Sequence, residues 1–376
     1  MTTAPDAAAL LDAAASIVIK VGSALLVDDA HTLRRDWLGT LCADIARLQV
    51  RGARVTVVSS GAVALGAQDV GQPRGASALA IKQAAAAAGQ VALAQAWRSA
   101  LSDAGCGSAQ VLLTPQDTEH RRRHLNARAT LDALAAARIV PVINENDTVA
   151  TEELRYGDND RLAARVAQMI GADLLVLLSD VDGLYAADPA THPDAAHIAH
   201  VTDIDDAIDA IAGESSSAHG TGGMRSKIAA ARLATGAGAA VVIASGREPA
   251  PIGVLAKGAR ATSFDAATTV PDARRRWIRA SLRQAAAVIV DAGAASALAQ
   301  GASLLPVGVV DIEGDFERGD CIAIRGQSNN AELGIGLAGL DSVAARDAMA
   351  AAKDGARTVP LVHRDDLVLE NPKTHE

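Results

Sequence analysis

Short apolar runs rich in Val, Ile and Leu recur along the first two thirds of the chain, and each run ends in small or polar residues. Such runs are typical of strands that are buried on both faces of a parallel sheet. They therefore predict five buried strands, at residues 17–21, 55–58, 139–143, 174–178 and 240–243.

Longer segments with helical spacing separate these runs. The first of them takes its apolar face from Trp37, Leu38, Leu41, Ile45 and Leu48. Alanine, the best helix former, dominates residues 76–101, and residues 162–169 repeat the helical spacing. The alternation of strand and helix predicts an α/β fold with an open, mainly parallel sheet sandwiched by helices.

The pattern changes in kind beyond about residue 285. Short apolar runs at residues 288–290, 307–312 and 321–324 are separated by Gly, Pro and Asp, which is typical of short strands joined by tight turns. We therefore predict a second, smaller and mainly β domain.

These patterns predict a division of the chain into an α/β domain over residues 1–270, a linker over residues 271–284 and a small β domain over residues 285–370. The linker contains three consecutive arginines, residues 274–276, which fit either a solvated face or a phosphate contact.

Composition limits what the chain can be. The 376 residues are 49% apolar, which excludes wholesale disorder, and the net charge of -9 disfavours binding to nucleic acid or anionic lipid. Three widely spaced cysteines predict neither disulfides nor a thiolate zinc site, and nine scattered histidines predict no metal site. There is no signal-like segment before Lys20 and no apolar run of about 20 residues, so we expect a cytoplasmic protein without a membrane partner.

Polar residues follow the predicted strands at the points where each strand ends. In open α/β sheets, ligands bind outside the carboxyl ends of the strands. The polar segments are K-V-G-S at 20–23, S-S-G-A at 59–62, N-E-N-D at 144–147 and S-D at 179–180. The sequence therefore predicts one crevice that contains a cation, hydroxyl groups, amides and carboxylates.

Lys20 is a charged residue in an otherwise apolar strand. Burial of its ammonium group costs several kcal/mol unless an anion compensates it. A bound phosphate supplies such an anion. Two alternatives need no ligand. Lys20 then either points outward at the end of the strand or pairs with a carboxylate.

The glycine-rich segment at residues 220–227, G-T-G-G-M-R-S-K, precedes a helical pattern. Glycines allow close backbone approach to phosphate oxygens, a helix N-terminus offers free N–H groups, and Lys227 adds positive charge. The segment is not a Walker A loop, and taken alone it also fits an ordinary flexible loop.

Two other patterns admit explanations that need no ligand. Asp158, Asn159 and Asp160 fit an N-cap cluster at the start of a helix as well as a site, and the local sequence favours the cap. Glycines 334, 336 and 339 match a dinucleotide fingerprint in letters, but no strand-then-helix unit surrounds them, so we interpret them as turn glycines.

Six motifs occur together in the order and spacing of the glutamate 5-kinase family of the amino acid kinase superfamily. The trailing β domain resembles a PUA domain, and the resemblance spans nearly the whole chain. The chain departs from the family pattern at Ser226, where threonine is common, and at the bulky Arg225. The motifs are the segments 20–23, 59–62, 141–147, 157–160, 179–185 and 220–227.

The resemblance implies an ATP-dependent kinase that phosphorylates the γ-carboxylate of L-glutamate, the first step of proline biosynthesis. By resemblance, Lys20 and Lys227 stabilise the transferring phosphoryl group, and Asp160 holds these lysines. A carboxylate acceptor is already ionised at pH 7, so the reaction needs no general base.

The resemblance also implies binding residues. Glutamate is expected to contact Ser60, Asp147 and Asn159, with Asn144 nearby. ATP, as its Mg²⁺ complex, is expected to contact Lys20, Ser179, Asp180, Thr221, Gly222, Gly223, Met224, Arg225, Ser226 and Lys227.

The family further implies feedback inhibition by proline, γ-glutamyl phosphate reductase as the next enzyme, and a homo-oligomer, either dimer or tetramer. One alternative is another enzyme of the superfamily, acting on acetylglutamate, carbamate or a nucleoside monophosphate. The other is an RNA-binding PUA protein, but residues 285–376 contain seven Lys and Arg against fourteen Asp and Glu, which disfavours phosphate contacts.

Overall fold

The computed structural model describes residues 6–71, 78–149, 159–189, 191–214, 223–270, 272–273, 286–328, 330–353 and 359–369. The chain divides into two compact units, Met1–Val270 and Pro271–Glu376. The predicted linker lies almost wholly outside the described residues, so the domain boundaries stay a prediction. Among the helices that are described, none has the length and apolarity needed to cross a membrane.

The first unit alternates strands with helices, as the sequence predicts. Its strands are β1 (Ser16–Val21), β2 (Arg54–Ser59), β3 (Gly107–Leu113), β4 (Ile139–Glu145), β5 (Leu174–Ser179), β6 (Leu184–Tyr185), β7 (His197–Ile198), β8 (His200–Val201), β9 (Ala240–Ser245) and β10 (Ala261–Phe264). Its helices are α1 (Ala7–Ala13), α2 (Ser23–Leu26), α3 (Arg35–Val50), α4 (Ala62–Val70), α5 (Ala78–Asp103), α6 (Pro115–Glu119), α7 (Arg121–Ala136), α8 (Asn159–Ile170), α9 (Asp206–Glu214), α10 (Met224–Gly236) and α11 (Pro251–Ala256).

Within the described part of this unit, eight strands form one sheet in the order β3-β4-β2-β1-β5-β9-β10-β8. All neighbours in it are parallel except β9 and β10, which are antiparallel. The short strands β6 and β7 pair separately as an antiparallel hairpin. The five strands predicted from apolar runs are confirmed as β1, β2, β4, β5 and β9, and the predicted fold class is confirmed.

The two faces of the sheet are covered by separate apolar cores. Successive side chains of a strand point to opposite faces. In β1, Ile17, Ile19 and Val21 belong to the core that contains residues of α3 and α5, whereas Val18 belongs to the core that contains residues of α8 and α10. Lys20, two residues after Val18, therefore lies on the α8 and α10 face.

Helices α4 and α5 cross closely because glycine occupies both sides of the contact. A Cβ atom on Gly66 would collide with the carbonyl oxygen of Ala85, and one on Gly89 would collide with the carbonyl oxygen of Ala62. Helix α4 begins directly after the Ser60-Gly61 turn. The crossing therefore fixes the middle of α5 against the carboxyl end of β2.

The second unit is built mainly from strands. They are β11 (Ala287–Val290), β12 (Val309–Glu313), β13 (Cys321–Gly326), β14 (Glu332–Leu337) and β15 (Leu367–Leu369), and they form a sheet in the order β12-β11-β13-β14-β15. The helices are α12 (Ala292–Ala299) and α13 (Ser342–Lys353), with 3-10 turns at Pro306–Gly308 and Arg364–Asp366. Its apolar core centres on side chains such as Val288, Ile322 and Ile324.

The interpretation of glycines 334, 336 and 339 as turn glycines is wrong for the first two, whereas Gly339 lies in a bend after β14. Gly334 and Gly336 lie within β14. A Cβ on Gly334 would meet the carbonyl oxygen of Val368, and one on Gly336 would meet the side chain of Val362. These glycines permit close packing of β14, which also explains the fingerprint without a nucleotide.

Candidate active site

Three charged side chains meet on the α8 face of the sheet, and we call them the charge cluster: Lys20, Asp160 and Lys227. Lys20 Nζ contacts Asp160 Oδ1, and Lys227 Nζ donates to Asp160 Oδ2 at 3.2 Å. The three residues are 6%, 0% and 5% exposed. Burial of an unpaired ion costs free energy, and two buried ammonium groups also repel each other. The Asp160 carboxylate offsets both effects because it pairs with both lysines.

Each member of the charge cluster comes from a different element. Lys20 is on β1, Asp160 is in the first turn of α8, and Lys227 is in the first turn of α10. Together the groups carry one net positive charge in a place with little water. Such a cluster is suited to an anion, because charge interactions strengthen as water is excluded.

The side chains of Asn159 and Asp160 reach across to the sheet. The two residues begin α8, Asn159 donates to the carbonyl oxygen of Ser59, and Asp160 contacts Lys20. Asp158, at the position before the helix that a cap residue takes, lies outside the described residues with Gly157, so the cap interpretation stays a prediction. The local sequence could not separate the two roles, because the same residue types serve as caps and as site residues.

Asn159 connects the charge cluster to the carboxyl ends of β2 and β4. Its Nδ2 has three acceptors within hydrogen-bond distance, the carbonyl oxygen of Ser59 at 3.1 Å, Ser60 Oγ at 2.8 Å and Asn144 Oδ1 at 2.9 Å, which share its two N–H groups. Asn159 thus contacts both Ser60 and Asn144, the three being among the residues expected to surround glutamate. Asn144 and Asn159 are buried, whereas Ser60 is half-buried.

Two residues of α5 hold this arrangement and were missed at the level of sequence. Gln90 Oε1 accepts from Asn144 Nδ2 at 2.8 Å, and the buried Trp97 indole donates to Ser59 Oγ at 2.9 Å. Both lie in the alanine-rich helix, where the regular composition hides them. The one indication in the sequence is the G-Q dipeptide that follows a run of five alanines, since Gln90 is a polar residue on a surface made of small apolar ones.

Asp147 occupies a different part of the same region. It lines a cleft of about 210 Å³ whose walls come from α5, β3 and the loop after β4. Gln90 also lines this cleft, so it borders both Asn144 and the space next to Asp147. The polar lining residues are Gln90, Gln110, Glu145, Asn146, Asp147 and Thr148.

The S-D pair at residues 179–180 ends β5 as predicted. Ser179 is buried and donates from Oγ to Asp180 Oδ1 at 3.0 Å, while Asp180 itself is exposed. The carbonyl oxygen of Ser179 accepts from the N–H of Gly246 at 2.7 Å, which joins the ends of β5 and β9. This carboxyl end therefore presents a carboxylate to solvent at the same edge as Lys20.

The remainder of that motif builds the β6-β7 hairpin. Tyr185 Oη donates to Asp182 Oδ1 at 2.8 Å and accepts from Arg260 Nη1 at 3.1 Å. His197 lies edge-on to Tyr185, with ring centroids 5.2 Å apart. Burial lowers the pKa of His197, and the nearby Arg260 lowers it further.

The glycine-rich segment is described from Gly223 onward, and Gly220, Thr221 and Gly222 lie outside the described residues. Gly223 is the N-cap of α10, and its carbonyl oxygen accepts from the N–H groups of Ser226 and Lys227 at 3.0 and 3.3 Å. The first N–H groups of a helix have no acceptor within it, so Met224 and Arg225 offer donors beside Lys227. Arg225 is exposed, and Met224 and Ser226 are half-buried.

Comparison with known proteins agrees with this geometry. The model of the amino acid kinase family matches residues 15–245, and that of the PUA domain matches residues 286–355. Glutamate 5-kinase of Agrobacterium fabrum strain C58 is 51% identical over 360 residues, which cover 94% of this chain and 92% of the relative. Glutamate 5-kinase of Gluconobacter oxydans strain 621H is 50% identical over 378 residues, which cover 98% and 100%.

Among solved structures, UMP kinase from Ureaplasma parvum is similar with a TM-score of 0.47 and 16% sequence identity, over 66% of this chain and 98% of that one. The family models and the two relatives together cover both units of the chain. The chain belongs to the amino acid kinase family and, within it, to the glutamate 5-kinases.

Proposed function

We propose that this protein transfers the γ-phosphoryl group of ATP to the γ-carboxylate of L-glutamate, the first step of proline biosynthesis, and that residues 1–270 bind both substrates. The proposal rests on two adjacent groups of side chains, the charge cluster and the group of Ser60, Asn144 and Asn159. Asn159 and Asp160 are consecutive, so a polar pocket for an acceptor and a cationic site for a phosphoryl group adjoin.

The chemistry fits the residues present. A γ-carboxylate oxygen forms the new O–P bond as the bond from the γ-phosphorus to the bridging oxygen breaks, and ADP leaves. The acceptor is ionised at neutral pH, so no side chain has to remove a proton. Lys20 and Lys227 neutralise charge on the transferring group, and Asp160 keeps both ammonium groups in place before substrate arrives.

The acceptor side supplies orientation. Ser60 Oγ accepts a hydrogen bond from Asn159, so its hydroxyl proton is directed elsewhere and suits a carboxylate oxygen of glutamate. Asp147 offers a carboxylate for the α-ammonium group from the wall of the cleft. Asn144 acts at one remove, through its hydrogen bond with Asn159.

The nucleotide side fits ATP and Mg²⁺. The N–H groups at the start of α10, with Lys227, match phosphate oxygens in charge and donor type. Ser179, Asp180 and the segment from Thr221 to Lys227 complete the proposed contacts. Bound Mg²⁺ neutralises phosphate charge, and it needs only one or two protein carboxylates besides the phosphates and water.

The test is an acceptor screen with the purified chain. ADP release is followed with glutamate, acetylglutamate, aspartate, carbamate and UMP, and hydroxylamine traps any acyl phosphate as a hydroxamate. We expect turnover with glutamate and a γ-glutamyl hydroxamate product. Absence of glutamate-dependent hydroxamate, or faster turnover with another acceptor, contradicts the proposal.

Three further properties are proposed with the activity. Proline inhibits as the end product, which the same assay tests with added proline. The acyl phosphate hydrolyses readily, so we propose that γ-glutamyl phosphate reductase consumes it, and product lifetime with and without the reductase tests this step. The chain forms a dimer or tetramer, which light scattering distinguishes from a monomer.

A further inference from the structure

We propose that Gln90 is a positioning residue of the acceptor pocket. It acts through an amide network that consists of Gln90, Asn144, Asn159 and Ser60. The proposal rests on the proposed function, because it assigns the network to glutamate binding. Gln90 is half-buried on α5 and belongs to none of the motifs that identify the family site.

Two backbone groups fix the direction of the hydrogen bonds in this network. The N–H of Glu145 donates to Asn144 Oδ1 at 2.9 Å, so the amide oxygen of Asn144 is the atom on that side. The carbonyl oxygen of Ser59 accepts from Asn159 Nδ2, so the amide nitrogen of Asn159 is the atom on that side. A backbone N–H only donates and a carbonyl only accepts, so neither side chain can reverse without losing a bond.

Gln90 completes the arrangement from the other end. With its oxygen committed to Glu145 and Asn159, Asn144 presents its NH₂ group to Gln90, whose Oε1 accepts at 2.8 Å. Asn144 is 4% exposed, so a donor left without this acceptor carries the full cost of desolvation. Gln90 therefore holds Asn144, Asn144 holds Asn159, and Asn159 directs the Ser60 proton toward the substrate.

The helix crossing explains why Gln90 is in place. Gly89, its neighbour, packs against the backbone of α4 at the crossing with Gly66. The position of α5 is thus fixed one residue away from Gln90. A side chain on so constrained a backbone loses little additional freedom when it forms its bond, which suits a positioning role.

The experiment is a double-mutant cycle. Gln90→Met keeps the length of the side chain and removes the acceptor, and Asn144→Ala removes its partner. We expect Gln90→Met to raise the KM for glutamate roughly tenfold while the KM for ATP stays within about twofold. In the Asn144→Ala background, Gln90→Met should have no further effect on either constant, because the residue acts through Asn144.

Gln95→Met is the matched control, because Gln95 is an exposed residue of the same helix and should leave all constants unchanged. The same cycle is measured by thermal unfolding, which needs no turnover. If the wild type shows no glutamate-dependent turnover, the proposed function fails, and coupling of Gln90 with Asn144 in unfolding still tests the bond. A Gln90→Met enzyme with wild-type KM, or an equal effect with and without Asn144, overturns the positioning role.

Discussion

The two units of the chain bury very different kinds of side chains. In the described residues, the first unit buries Lys20, Asp160 and Lys227 together with polar groups such as Asn144 and Asn159. In the described part of the second unit, Ser342 is the single buried polar side chain, and the rest of its core is apolar. The first unit therefore bears the desolvation cost of buried charges, and the described part of the second unit does not.

The buried charges and the apolar cores contribute differently to stability. A buried ion pair contributes little net stability, since desolvation offsets the attraction between its members. An apolar core stabilises a fold without such a penalty. The charge cluster is thus better explained by a reaction that needs preorganised cations than by the stability of the unit.

The largest expected effect is on turnover. Lys20→Ala and Lys227→Ala should each lower kcat by about 10²- to 10³-fold, because each removes a preorganised charge from the transferring phosphoryl group. Lys257→Ala, at an exposed lysine of the same unit, is the control and should leave kcat unchanged. Steady-state kinetics measure all three. A near-normal kcat in either site variant contradicts a catalytic role for the buried charges.

The next effect is on stability without chemistry. Ile324 is fully buried in β13, and Ile324→Ala should lower the free energy of unfolding of the second unit by about 2–5 kcal/mol. Glutamate turnover should stay at its wild-type value at a temperature where both units are folded. Calorimetry measures the loss of stability, and kinetics on the same preparation measure turnover. A large loss of kcat in the folded variant would show that the second unit contributes to catalysis.

A smaller loss is expected at the α4-α5 crossing. Gly89→Ala places a Cβ against the carbonyl oxygen of Ala62, and such overpacking costs about 1–3 kcal/mol. Gly39→Ala, in α3, is the matched control, since a Cβ there meets nothing within 4 Å. It should stabilise the chain by up to about 1 kcal/mol. Urea unfolding of both variants measures the difference, and equal stabilities would show that the crossing tolerates a methyl group.

The smallest effect concerns a buried group that carries no charge. Burial, with smaller contributions from the nearby Cys106 and Asp103, raises the pKa of the Cys42 thiol from 9.0 to about 12. The folded pKa exceeds the unfolded one, so the stabilisation is complete below pH 9.0 and is lost as the pH rises toward about 12. At pH 8, iodoacetamide should leave Cys42 unmodified in the native protein and alkylate it in urea, as peptide mass spectrometry will show.

Most of the sheet could be predicted because its central strands are buried on both faces. The runs that became β1, β2, β4, β5 and β9 are continuous and apolar. Strand β3 was missed because it lies at the edge of the sheet, where most of its side chains are at least partly exposed. Edge strands lack the uniform apolar pattern that identifies central ones.

The site was predictable to the extent that its residues end strands or belong to motifs. Lys20, Ser60 and Asn144 follow from the rule that ligands bind at the carboxyl ends of parallel strands. Gln90 and Trp97 do not, since they act from the middle of a helix by long-range hydrogen bonds. Periodicity describes which face of a helix is buried, but it does not say which distant polar group that face meets.

The charge cluster also has a consequence for folding, because it can form only late in the process. Asp160 lies 67 residues before Lys227 and much further from Lys20, and β1 lies between β2 and β5 in the sheet. Contacts of such separation form late, because the loops between them must close first. During synthesis, a chain that ends before α10 has the carboxylate but not both cations. Recovery of activity after dilution from denaturant therefore reports the docking of α8 and α10 against β1, whereas helical circular dichroism can return earlier.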